Sequence, residues 1–280
     1  MTTTELYAQI QAKKSMLCVG LDTDFNKMPE HIKRLATEGA TAVKGELVNG
    51  TARSLYEFNK AIIDATAAHC VAYKPNLAFY ECYGRDGMLA LEKTVDYLRS
   101  NYPEQFLIAD AKRGDIGNTA KMYAKTFFET MDFDAVTISP YMGSETVTPF
   151  LEYKGKFAIV VALSSNKSSA DFQLAEQDGK PLYQVVMEKM MSISTPENMM
   201  FVVGATKADK LAEIRKFCPD NFFLVPGVGA QGGSAEEVIA HGANAKGGLL
   251  INSSRGVIYA SSGEDFAEAA ARAAATTANL

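Results

Sequence analysis

Asp110, Lys112 and Asp115 stand in the order D-x-K-x-x-D within Phe106-Leu-Ile-Ala-Asp110-Ala-Lys112-Arg-Gly-Asp115-Ile-Gly-Asn-Thr119, and Lys74 stands in Tyr-Lys-Pro-Asn76. Two unit charges about 4 Å apart interact by roughly 4 kcal/mol at an effective dielectric near 20. Acids and lysines brought together therefore hold one another ionised. A lysine kept protonated is a proton donor, not a base. A carboxylate kept ionised repels a substrate carboxylate placed beside it. The combination suits expulsion of CO₂ from an anionic substrate, followed by protonation of the carbon left behind. An ordinary ion pair at a strand end, or a helix cap from Asp115 or Asn118, uses the same residue types. The reading therefore depends on what else converges there.

Phe106 to Ala109 is a short apolar run, as expected of a strand covered on both faces. Alternation along it points Asp110 and Lys112 the same way. Gly114 allows a sharp turn, and Asp115 lies where a helix begins. Strands of the same character are expected at 15–22, 71–79, 135–140, 157–165, 199–204, 222–227 and 248–256. Helices are expected between them at 51–69, 84–101, 118–131, 143–153, 182–194, 207–217, 234–241 and 263–278. In the first of these, Leu55, Phe58, Ile62 and Ile63 share a face.

Eight strand–helix repeats without a composition break point to an α/β fold, a single-domain (β/α)8 TIM barrel. A doubly wound open sheet is the alternative, but no G-x-G-x-x-G follows the first strand. Residues 24–50 carry Pro29, Gly39, Gly45 and Gly50 among several charges. They read as an insertion after the first strand with one or two short helices. Residues 166–180 have loop composition.

A closed barrel gathers the carboxyl ends of its strands at one mouth. That mouth would collect Asp22, Lys74, Asn76, Asp110, Lys112, Ser164, Ser165, Ser254 and Arg255. Gly227-Val-Gly229-Ala-Gln231-Gly232-Gly233 follows the seventh strand. Such a loop frees backbone amides to face an anion, although a tight turn has the same composition. Arg255, on the adjacent final strand, adds a planar pair of donors, and the two together favour a phosphate.

Composition narrows the alternatives. A chain of 280 residues, 47% hydrophobic, buries a large core. Net charge is −5 and no basic block is interleaved with aromatics, so no nucleic-acid partner is expected. No apolar run approaches the roughly 20 residues that span a bilayer, so no membrane role is expected. The start has no basic region followed by an apolar core, and Cys18, Cys70, Cys82 and Cys218 form no C-x-x-C pair. Both features suit a cytoplasmic protein with reduced thiols. His31, His69 and His241 are not at metal-ligand spacing. Neither a protein-held metal, a cofactor nor a histidine base is expected.

The chain resembles the orotidine 5′-phosphate decarboxylase family, in its longer, bacterial-type branch. The resemblance rests on Asp110-Ala-Lys112-Arg-Gly-Asp115-Ile-Gly-Asn-Thr119, Gly-Leu-Asp22, Tyr-Lys74-Pro-Asn76, Pro-Gly-Val-Gly-Ala-Gln231-Gly-Gly and Ser-Ser-Arg255-Gly. It spans the first to the eighth strand. It implies a homodimer that turns orotidine 5′-monophosphate into UMP and CO₂ without metal or cofactor. Lys112 would protonate C6, Asp110 would crowd the leaving carboxylate, and Lys74 would complete the charge array. Asp22 and Lys74 would contact ribose hydroxyls. Asp115 and Thr119 would serve the partner's site. Ser164 or Ser165 would bond the pyrimidine, and Gln231 and Arg255 would hold the phosphate. Segment 166–180 and the Gln231 loop are candidate lids.

Two rivals stand beside this. Relatives sharing D-x-K-x-x-D use Mg²⁺ on sugar phosphates and carry an acid where this chain has Lys74. A non-catalytic barrel sensing UMP would need Arg255 and Gln231 but no proton donor.

Overall fold

The computed structural model describes residues 1–43, 45–205, 208–228 and 234–278. Eight parallel strands close into a barrel: β1 (Leu17–Leu21), β2 (Ala72–Pro75), β3 (Phe106–Arg113), β4 (Ala135–Ile138), β5 (Phe157–Leu163), β6 (Met199–Val203), β7 (Phe223–Pro226) and β8 (Leu249–Ser253). Each strand pairs with its chain neighbours, and β8 pairs with β1. The principal helices are α1 (Thr3–Lys13), α2 (Gly50–Thr66), α3 (Gly84–Asn101), α4 (Gly117–Lys125), α5 (Leu182–Met191), α6 (Ala208–Phe217), α7 (Ala235–Gly242) and α8 (Phe266–Ala278).

Alternation along the strands builds two cores. Cys18, Ala72, Ile108, Ala135, Ile159, Met200, Leu224 and Leu250 form one cluster, a residue from each strand, filling the barrel. Their neighbours Val19, Tyr73, Leu107, Val136, Ala158, Phe201, Val225 and Ile251 belong to a second, which packs outward against the helices. Burial on both faces is why the strands read as unbroken apolar runs.

Sequence reasoning assigned no element before residue 15, yet α1 is there. A reciprocal cap between Thr2 and Glu5 starts it, and Leu6 and Ile10 join the interior cluster at the amino-terminal end of the barrel. Residues 24–50 hold helical turns at Phe25–Lys27 and Glu30–Arg34, and also an antiparallel hairpin, Thr41–Val43 with Glu46–Val48. Segment 166–180 contains a turn at Lys167–Asp171 and the start of a two-residue hairpin, Glu176–Gln177 with Lys180–Pro181.

Several expected elements end early. The strand expected over 71–79 stops at Pro75, and Ala78–Glu81 turns into helix. The helix expected over 118–131 is α4 followed by a π-type turn, Thr126–Thr130. The one expected over 143–153 is two short turns, Ser144–Thr146 and Thr148–Leu151. β8 ends at Ser253, and Arg255–Ile258 begins a helical turn. Among the described residues no helix is long and apolar enough to cross a membrane.

Candidate active site at the barrel mouth

A residue two positions beyond an inward one faces the same way. Two beyond the interior layer stand Lys74, Asp110, Thr137, Val161, Val202, Pro226 and Asn252, on β2 to β8. All but Thr137 line a cavity of about 290 Å³ at the carboxyl end of the barrel. Asp22, Asn76, Lys112, Ser164, Ser165, Ser254 and Arg255 line it too. The nine mouth residues expected from the sequence are therefore brought together.

The charges form a ladder. Lys74 Nζ is 2.9 Å from Asp110 Oδ2 and 3.9 Å from Asp22 Oδ1, and Lys112 Nζ is 2.5 Å from Asp110 Oδ1. Burial alone would raise the Asp110 carboxyl, but the Lys74 and Lys112 ammoniums outweigh it and hold it well below the usual carboxylate range. Burial likewise works against a charged Lys74, and Asp110 with Asp22 outweighs it, holding that lysine protonated above its ordinary range.

Asp110 and Lys112 do not converge by simple strand alternation. Lys112 has φ +44°, and the β3–β4 register shifts between Ala109 and Arg113. The step from Val136 to Ile138 on β4 faces the step from Ala109 to Arg113 on β3. This bulge re-aims Lys112 over Asp110. Nor does Gly114 make the turn through a left-handed backbone; Gly117 does, at φ +55°. Gly114 is needed for closeness, since a Cβ there would lie 2.9 Å from the Ser139 carbonyl oxygen.

Asp115, just before Gly117, and Thr119, just after it, do not line the cavity. Asp115 is half-buried and its carboxylate accepts from the Ile116 N–H at 2.8 Å; Thr119 is exposed. Neither Asp115 nor Asn118 is the cap of α4, which falls on Ile116 without a side-chain bond.

On the other side of the mouth, Arg255 is exposed and makes no ion pair among the described residues. Gly20 gives Ser254 its place beside β1: a Cβ there would lie 1.9 Å from Ser254 Oγ. Gly229, Gln231 and Gly232 lie outside the described residues. Ser164 Oγ is tied to Asn166 Oδ1 at 2.6 Å and receives Gln173 Nε2 at 2.9 Å. Ser165 packs against Gly204, where a Cβ would meet its backbone nitrogen at 2.7 Å.

The sequence model described as the orotidine 5′-phosphate decarboxylase / HUMPS family matches residues 15–272. The chain belongs to this family. It is 54% identical over 275 residues to the orotidine 5′-phosphate decarboxylase of Phocaeicola vulgatus, covering 98% of this chain and 95% of that one. It is 53% identical over 270 residues to that of Flavobacterium johnsoniae, covering 96% and 93%. The solved OMP decarboxylase of Leishmania donovani superposes with a TM-score of 0.76 at 34% identity, covering 97% of this chain and 95% of that one.

Two polar residues at the mouth of the barrel escaped the sequence reading. Thr137 is buried beneath Asp110, and Asn252 lines the cavity beside Ser254. Each is a polar residue at an inward position of an otherwise apolar barrel strand, which is the signal that marks them.

Proposed function

We propose that this chain converts orotidine 5′-monophosphate to UMP and CO₂, with Lys112 as the proton donor and no metal ion in the step. The observation that carries this reading is Lys74 lodged between Asp22 and Asp110, with Lys112 on the other oxygen of Asp110. In the magnesium-dependent branch the same place would have to offer a cation free carboxylates. Here an ammonium fills it, and a second positive charge there would be repelled.

The chemistry follows from the ladder. The nucleotide enters with its phosphate toward Arg255 and its ribose over Asp22 and Lys74. Its carboxylate then faces the ionised Asp110, which destabilises the C6–carboxylate bond. That bond breaks, CO₂ leaves, and the electron pair stays at C6 beside the Lys112 ammonium. Lys112 passes a proton to C6 and is reprotonated by water. Its charge is preorganised by Asp110, so little reorganisation is needed as the carbanion forms. Phosphate binding, remote from C6, holds the ring in register.

We assign the active form to a homodimer with shared sites. Asp115 and Thr119 do not line their own cavity, and large apolar side chains are exposed on the same stretch and on the loop after β4: Ile116 and Met122, and Tyr141 and Met142. Tyr141 is 84% exposed, unusual for so large a ring on a lone subunit. A second copy would cover this patch and receive Asp115. The four cysteines are free, as suits the cytoplasm, where we place the reaction.

The test is the loss of orotidine 5′-monophosphate absorbance with purified protein and excess EDTA. Undiminished turnover is expected. Activity only after Mg²⁺ is restored would transfer the chain to the metal-dependent branch, and UMP binding without turnover would make it a sensor.

A further inference from the structure

We propose that Thr137 is a positioning residue of this site, its one hydroxyl fixing both the Asp110 carboxylate and the Lys112 backbone in the arrangement that delivers the proton. The inference rests on the decarboxylase reading and adds a residue to it.

Thr137 Oγ1 accepts the Lys112 backbone N–H at 2.9 Å and donates its own proton to Asp110 Oδ1 at 3.0 Å. The residue is 1% exposed, so water does not substitute for either bond. Both bonds fall where β3 needs help. The bulge removes the regular ladder between Ala109 and Arg113, leaving the Lys112 N–H without a strand acceptor, and the backbone there is left-handed at a residue other than glycine. Regular pairing resumes where the Ser139 N–H reaches the Arg113 carbonyl at 2.8 Å.

Packing does not require a hydroxyl at this place. On β5 and β6 the equivalent inward positions are Val161 and Val202. Thr137 departs from that apolar pattern only where Asp110 and Lys112 adjoin it. With it, Asp110 has three donors: Lys112 and Thr137 on Oδ1 and Lys74 on Oδ2. Three donors fix the plane of the carboxylate, and the carboxylate in turn fixes Lys112 Nζ. Without the hydroxyl the carboxylate can rotate and the ammonium loses its aim at C6. The Thr137 hydroxyl bonds the Lys112 N–H and Asp110, and neither Arg255, Asp22 nor Lys74, so the effect belongs to kcat rather than to nucleotide affinity.

Thr137→Val keeps the shape and removes the hydroxyl. Wild type and variant are compared for kcat on orotidine 5′-monophosphate and for UMP affinity, with folding checked by thermal unfolding. Loss of a hydrogen bond to a charged group predicts a fall in kcat of roughly ten- to hundredfold. UMP affinity should stay within about twofold, and Thr137→Ser should restore most of the rate. If Thr137→Val does not fold, Thr137→Ser against Thr137→Ala makes the same comparison, with the alanine variant slower by a similar factor. Equal kcat in hydroxyl-bearing and hydroxyl-free variants overturns the proposal, as does a loss of UMP affinity in step with kcat. An inactive wild type would instead refute the decarboxylase reading itself.

Discussion

Lys74 donates to Asp110 across 2.9 Å with both side chains more than nine-tenths buried. Removing one member of a buried pair strands the other charge in a poor solvent, which costs about 3–5 kcal/mol. Asp110 keeps Lys112 when Lys74 is lost, so Lys74→Met should destabilise by about 3 kcal/mol, the lower end of that range. Denaturant unfolding measures it. Wild-type stability in this variant would mean the pair is not the buried anchor of the site.

The same pair sets a pH dependence. Asp110 has a depressed folded pKa, so its contribution is complete above the ordinary carboxylate value of about 3.9 and is lost only as pH falls through the lower folded value. Lys74 has a raised one, so its contribution is complete below about 10.4 and is lost as pH rises through the higher folded value. Between these limits neither group titrates. At saturating substrate, kcat should therefore stay level as pH falls from about 7 to about 5. A kcat halved over that interval would contradict an Asp110 held ionised.

A shared site predicts complementation. Asp115→Ala and Lys112→Ala homodimers should each be nearly inactive. After subunit exchange, half of the sites in the hybrid dimers combine an intact Lys112 with an intact Asp115. Mixing should then recover about a quarter of wild-type activity if assortment is random, since hybrids form about half the population. No recovery, with exchange verified by mass, would show that Asp115 acts within its own subunit or not at all.

Gly20 admits Ser254 to the side of the mouth proposed for the phosphate, where an added Cβ would lie 1.9 Å from Ser254 Oγ and 3.2 Å from Asn252 Oδ1. Gly20→Ala should push Ser254 and the adjoining Arg255 outward. A rise in KM of roughly tenfold, with a smaller change in kcat, is expected from the loss of about 1.4 kcal/mol of phosphate binding. An unchanged KM would remove Ser254 and its neighbours from the phosphate site.

The barrel was legible because parallel strands buried on both faces leave continuous apolar runs, with site residues just past their ends. Asp22, Lys74, Asp110 and Arg255 could be picked out on that basis alone. α1 escaped because its contact with the core rests on Thr3, Leu6 and Ile10 in an otherwise polar stretch. The hairpin of Thr41–Val43 with Glu46–Val48 escaped because its strands are only three residues long, too short to show an alternation. The bulge at Lys112 has no compositional mark, since a left-handed lysine looks like any other lysine in a sequence. Thr137 was visible as a polar residue in an apolar strand, but its partners became apparent only once β4 lay beside the bulge.

The central claim is that Lys112 supplies the proton and the charge that stabilise the carbanion, and Lys112→Ala tests it most directly. Single-turnover loss of orotidine 5′-monophosphate absorbance is measured for wild type and variant, with UMP affinity measured in parallel. A rate lower by roughly 10⁴-fold, with UMP still bound, is the result expected of a lost general acid in a preorganised site. A rate within about tenfold of wild type would contradict the account, because a positioned proton donor contributes at least 10²-fold.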